Sequence, residues 1–216
     1  RLILTMPDNL SLERRRLLGA YGAELELTPG SLGMRGAIER AEEIAAERGY
    51  FMPQQFRNPV NPRIHEETTG PEILDALDGD VAAFVAGVGT GGTLTGVGRA
   101  LRAHLSDVQI VAVEPSSSAV LSGGDAGPHG IQGIGAGFIP DILDPKIYQE
   151  ILTVSTENAV ETSRRLAREE GLFVGISAGA NVFAAVKIAQ RLAPGQNVVT
   201  ILCDTGERYL STGIYD

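Results

Sequence analysis

At 216 residues the chain can bury one sizeable core, or one domain and part of a second, and its 43% hydrophobic, 21% charged composition excludes a disordered chain. The net charge of −9 argues against nucleic acid, whose phosphates call for a basic face. A single cysteine, Cys203, excludes an internal disulfide and a multi-cysteine zinc site, and no apolar run approaches the roughly 20 residues a membrane helix requires.

The remaining partners are small molecules or other proteins. His65, His104 and His129 are scattered without ligand spacing, so no metal is expected. No signal peptide is visible, and a cytoplasmic location is expected. Cys203 ends the apolar run Val198 to Leu202 and reads as a buried, inert thiol.

In chain order, Leu2 to Met6 reads as a strand ended by Pro7. Asp8 to Ser11 offers capping chemistry for a helix that runs from Leu12 to a stop at Gly22. Glu24 to Thr28 alternates as a strand does, and Gly36 to Glu47 has helical spacing with Gly49 as its stop. A connector with Pro53, Pro59 and Pro62 follows. Helical spacing resumes from Ile64 to Leu77, with a break or new start expected at Pro71. Val81 to Ala86 is an apolar strand, Leu94 to Leu105 a helix and Gln109 to Val113 a strand, which together make a β-α-β unit. The Ser/Gly-rich stretch Ser116 to Gly137 is longer than a passive connection needs to be. A strand at Ile151 to Val154, a helix from a Thr156 cap to Glu170, a helix from Ser177 to Leu192 and a strand from Val198 to Cys203 complete the pattern. Such alternation predicts an α/β fold, its parallel sheet covered on both faces. The connector places a boundary after residue 57, giving part of a smaller N-terminal domain (1–57) and a larger C-terminal domain (58–216).

The chemistry concentrates in Gly87-Val88-Gly89-Thr90-Gly91-Gly92-Thr93, between a strand and a helix. Backbone N–H groups and the positive helix end there favour a phosphate, and glycines let it approach closely. The same residues satisfy G-x-G-x-x-G, with Glu114 ending the next strand where a ribose-binding acid would stand, so a dinucleotide is a real competitor. Three nearby hydroxyls, on Thr90, Thr93 and Thr95, suit a phosphate monoester dianion better than a pyrophosphate diester. On local residues alone the two readings are nearly even.

Longer stretches favour the monoester. Gln54-Gln55-Phe56, Asn58-Pro59, Asn61-Pro62 and His65 to Ile73 precede the glycine loop; Ile131 to Pro140, Gly175 to Ala180 and Gly206 to Thr212 follow it. In this order they resemble the O-acetylserine sulfhydrylases, or cysteine synthases, over essentially the whole chain. The resemblance implies a fold-type II pyridoxal-phosphate enzyme of two α/β domains, normally a homodimer. It implies that Gly89, Thr90, Gly91, Gly92 and Thr93 hold the cofactor phosphate. Ser177 would bond the pyridine nitrogen, and Gln55 would face the substrate carboxylate. Gly133 would lie on a mobile loop that closes over the site. Replacing Gly91 with a β-branched residue is then expected to block the phosphate and leave the fold largely intact. From the residues alone, Ser177 could equally be a helix N-cap.

The implied activity is pyridoxal-phosphate-dependent replacement of the acetate of O-acetyl-L-serine by sulfide, giving L-cysteine. Cystathionine β-synthase and O-phosphoserine sulfhydrylase activities are sister alternatives, and a dehydrogenase or a non-catalytic binding fragment are alternatives of other classes. Serine acetyltransferase is the protein partner the family suggests. The chemistry needs a Schiff-base lysine, and the only two lysines, Lys146 in a loop and Lys187 within a helix, match no family lysine motif. The chain also opens at Arg1 directly on a strand. These residues are therefore expected to be roughly the last two-thirds of a longer enzyme, inactive alone, with the lysine upstream. One smaller departure from the family is Gly130, where a lysine is expected.

Overall fold

A computed structural model describes residues 1–216. A small parallel pair comes first: β1 (Ile3–Pro7) and β2 (Glu24–Thr28), joined by α1 (Leu12–Ala20) and followed by α2 (Gly33–Arg48). Next are α3 (Val60–Ile64) and α4 (Gly70–Ala76), joined by a π-helical turn at His65–Thr69. The rest of the chain lays down β3 (Ala83–Gly87), α5 (Gly92–His104), β4 (Gln109–Pro115), β5 (Glu150–Val154), α6 (Thr156–Glu169), α7 (Ile176–Ala189) and β6 (Val198–Thr200).

The last four strands form one all-parallel sheet in the order β5-β4-β3-β6. Side chains alternate across a strand, so β3 feeds two cores. Ala83 and Val85 pack with Val111, Ile176, Ala180, Ala184 and Ile188, on the face covered by α6 and α7. Phe84 and Ala86 pack with Leu94, Val97 and Leu101 on the face covered by α5. An all-parallel sheet needs helices on both faces, and here it has them.

The two parts meet through polar contacts. Arg14 of α1 reaches Asp204 (3.4 Å) and the Tyr209 hydroxyl (3.2 Å), and that hydroxyl donates to Asp204 at 2.6 Å. Burial, then the Asp204 carboxylate, pushes the Tyr209 phenol well above its usual range. Glu13 accepts from the Ser211 amide and hydroxyl, each at 2.6 Å.

Several local expectations shift. At Pro71 the structure makes the new start rather than a break: Pro71 sits in the first turn of α4, where no N–H is needed, and the π-turn leads into it without a gap. The cap of α6 is Ser155, which accepts from the Asn158 amide at 3.2 Å, and Thr156 is the first helical residue. Ser11 caps α1 by position only, with its hydroxyl buried and unpaired. The last strand stops at Thr200, three residues short of the expected Cys203. Gly130 packs against Thr156, and an added Cβ would stand 2.6 Å from the Thr156 methyl, so a side chain is costly there.

Candidate active site

The strand order fixes where a ligand can enter. From β3 the chain moves outward through β4 and β5, then returns to β6 on the other side of β3. That reversal makes the carboxyl ends of β3 and β6 a topological switch point, the place where open α/β sheets bind ligands. Two helices begin at this edge on opposite faces. One is α5, directly after β3; the other is α7, which runs back toward the start of β6. Their positive ends make the crevice attractive to an anion.

The Gly89–Thr93 loop leaves β3 here. Gly91, at φ +82°, is the N-cap of α5, a left-handed conformation that glycine adopts without strain. None of the amide N–H groups of Gly89, Thr90, Gly91 and Thr93 donates to an acceptor within the chain, whereas Gly92 N–H is taken by Thr90 Oγ1 at 3.3 Å. Four free donors at a helix start form a cradle for a phosphate. An added Cβ at Gly91 would come within 2.8 Å of Leu143, so the expectation that a β-branched replacement spares the fold is not supported.

Ser177 lies in the first turn of α7, 3% exposed. The N-cap is Gly175 and no side chain caps the helix, so the capping role open to Ser177 is not realised. Gly133 links the two ends. Its φ of +103° requires glycine, a Cβ there would stand 3.5 Å from Ser177 Oγ, and its carbonyl oxygen would lie 2.5 Å from a Cβ on Gly89. Gly135 N–H also donates to Val88 O at 3.0 Å, so this loop is seated on the root of the glycine loop. Gln55 is exposed on the connector and is linked to the glycine loop through Asn61. Its backbone oxygen accepts from Asn61 Nδ2 (2.9 Å), which also donates to Thr90 Oγ1 (3.1 Å). Gln55 also lines a cavity of about 540 Å³ between β1, α2, the connector and Phe138.

Three supporting residues escaped the sequence reading. Asn61 ties the connector to Thr90. His65 bonds Thr93 Oγ1 through Nε2 (3.2 Å) and Thr69 Oγ1 through Nδ1 (2.9 Å), and burial pushes its pKa below 6.5. A neutral ring that takes its proton bond from Thr69 and donates to Thr93 would leave the Thr93 hydroxyl free to donate to a ligand. Asn181 accepts from Gly87 N–H, at the root of the loop. Asn61 and His65 fall within the family-like run, but only their partners mark them; nothing in the sequence singles out Asn181.

Other expectations are corrected. Thr95 is fully buried and accepts from the Asp144 amide at 3.1 Å, so it offers nothing to a phosphate. Glu114, the candidate ribose-binding acid, is 2% exposed; it accepts from the Leu121 amide (2.7 Å), the Ser122 amide (3.0 Å) and the Ser122 hydroxyl (2.5 Å). A carboxylate this buried, with three accepted bonds inside the chain, is not presented to a ribose. Cys203 is exposed, not buried, although shielding of its sulfur raises the thiol pKa. The lysines lie as expected: Lys146 is an exposed loop residue, and Lys187, within α7, lies over the Phe183 ring at 4.6 Å, ten residues or roughly 15 Å along the helix from Ser177. No cluster of His, Cys, Asp and Glu is placed to hold a metal, and no helix is long and apolar enough to cross a membrane.

The family of pyridoxal-phosphate dependent enzymes matches residues 1–204. The chain belongs to this family. Cysteine synthase from Staphylococcus aureus (strain Mu50) is 56% identical over 216 residues, which cover all of this chain and 70% of that protein. A crystal structure of O-ureido-L-serine synthase is 47% identical with a TM-score of 0.95, covering all of this chain and 69% of that one. The O-acetylserine-dependent cystathionine β-synthase of Helicobacter pylori is 41% identical with a TM-score of 0.95, covering 99% of this chain and 70% of that one. The residues present fit the family's cofactor, since four unpaired amides at the start of α5 are free to bind a phosphate and a hydroxyl lies at the start of α7.

Proposed function

We propose that the chain carries the cofactor-binding part of a pyridoxal-phosphate-dependent cysteine synthase, which replaces the acetate of O-acetyl-L-serine with sulfide to give L-cysteine. The observation that carries this reading is the convergence, across Gly133, of the free amides after β3 and Ser177 at the start of α7. Bound pyridoxal phosphate supplies the electron sink that stabilises negative charge at the substrate carbon. The amides of Gly89, Thr90, Gly91 and Thr93 bind the phosphate, and Gly92 contributes room and the turn. Ser177 bonds the pyridine nitrogen. A neutral hydroxyl at a positive helix end disfavours a protonated ring, which moderates the sink and suits elimination of a leaving group. Gln55 binds the substrate carboxylate, and Gly133 shapes the wall between substrate and cofactor.

Residues 1–57 belong to the smaller domain and 58–216 to the cofactor domain in this reading. The enzyme works in the cytoplasm as a homodimer, with serine acetyltransferase as a candidate partner. The amine that turnover requires is not among the 216 residues, because Lys146 and Lys187 both stand exposed away from the crevice. Likeness to the Helicobacter pylori enzyme supports cystathionine formation from O-acetylserine as the second reading. Thermal unfolding with added ligand separates these readings from a dehydrogenase: pyridoxal phosphate should raise the transition and NAD should not, and the reverse would overturn the proposal. In a cysteine-formation assay with O-acetylserine and sulfide, residues 1–216 alone should give no product. Turnover on the order of 10 per second, typical of enzymes, would refute the missing-amine part.

A further inference from the structure

At the switch point β3 continues two residues further than its partner. Ala83, Phe84 and Val85 pair with Val198, Val199 and Thr200, where β6 ends, while β3 runs on to Gly87. The side chain of Asn181 fills the gap. It is 1% exposed, one turn along α7 from Ser177; its Oδ1 accepts from Gly87 N–H at 2.8 Å, and its Nδ2 donates to Ile201 O at 2.8 Å. A carboxamide offers one acceptor and a donor, as a peptide unit does, so Asn181 replaces the missing rung between the diverging ends. Gly87 makes room for it, since a Cβ there would stand 2.9 Å from Asn181 Oδ1.

This contact joins the two halves of the crevice. Gly87 is the root of the Gly89–Thr93 loop, and Asn181 rides on the helix that carries Ser177. We infer that Asn181 is a positioning residue that sets the distance between the phosphate cradle and Ser177, and so matches the crevice to a ligand carrying a phosphate at one end and a ring nitrogen at the other. This rests on the cofactor reading above. Hydrogen bonds from a buried carboxamide hold a fixed spacing because breaking either leaves Gly87 N–H or Ile201 O without its partner, and the amide of Asn181 unpaired inside the protein.

The test compares two probes on the full chain by calorimetric titration. 4-Deoxypyridoxine 5′-phosphate has both ends and no aldehyde; inorganic phosphate has one end only. Asn181→Ala should weaken the first about tenfold and leave the second within about twofold. Asn181→Asp keeps the size and the acceptor for Gly87 but sets a carboxylate against Ile201 O, and should show the same selective loss even where Asn181→Ala fails to fold. Equal weakening of both probes, or unchanged affinity for both, would overturn the inference by reducing Asn181 to ordinary packing. If the unaltered chain binds neither probe, the cofactor reading itself fails and the inference falls with it.

Discussion

The sheet that bears the glycine loop and the pair that opens the chain are both parallel, yet they are built differently. In β3 the residues Ala83, Phe84 and Val85 are wholly buried between two cores. In the β1–β2 pair Leu27 is 46% exposed, and α1 buries no residue. The proposed phosphate end of the site therefore stands on a doubly covered sheet, and Gln55 stands on an exposed connector beside a cavity. In the proposed reading the cradle is held to a fixed shape while the end at Gln55 is free to adapt, a division suited to a cofactor that stays and substrates that come and go.

The largest expected effect tests that contrast directly. Phe84→Ala should cost about 3–5 kcal/mol of unfolding free energy and Leu27→Ala less than about 0.5 kcal/mol, read by denaturant titration. Comparable losses would erase the distinction. Next, Gly91→Val should destabilise by about 2–4 kcal/mol, through its left-handed backbone and the crowding at Leu143, and should weaken pyridoxal phosphate more than about a hundredfold. An intact fold with unchanged affinity would remove the loop from the site. At the other end, Gln55→Ala should raise KM for O-acetylserine about tenfold in the complete enzyme, with cofactor affinity kept within about twofold. Loss of cofactor together with substrate would show the two ends to be one unit.

The smallest effect concerns His65. Its native pKa lies below 6.5 because burial disfavours the charged ring. As the pH falls through 6.5, the unfolded chain binds a proton that the native chain does not, so stability is lost on acidification from about 6.5 toward the lower native value. His65→Asn should flatten the change in melting temperature between about pH 7.5 and 5.5. An unaltered slope would mean that His65 does not titrate in this way.

Much of this was legible in the sequence because it is local. The β-α alternation, the strand at Glu24–Thr28 and the glycine turn into α5 follow from patterns within a few residues. Motif chemistry also produced the dinucleotide competitor. The resemblance over longer stretches favours the monoester, and tertiary contact adds a Glu114 already engaged by Leu121 and Ser122. Thr95 misled for the same reason: its hydroxyl points to the Asp144 amide, a partner 49 residues away. Asn181 was invisible since its role exists only where β6 stops short of β3. Cys203 lies past the end of that strand, so the apolar run before it did not bury it.

The most direct measurement is an amide-resolved NMR titration of the chain with pyridoxal phosphate. Saturation should shift the backbone amides of Gly89, Thr90, Gly91, Thr93 and Ser177 together, and NAD should leave them unmoved. Shifts confined to residues around Glu114, or the same five amides responding to NAD, would contradict the assignment of this crevice to pyridoxal phosphate.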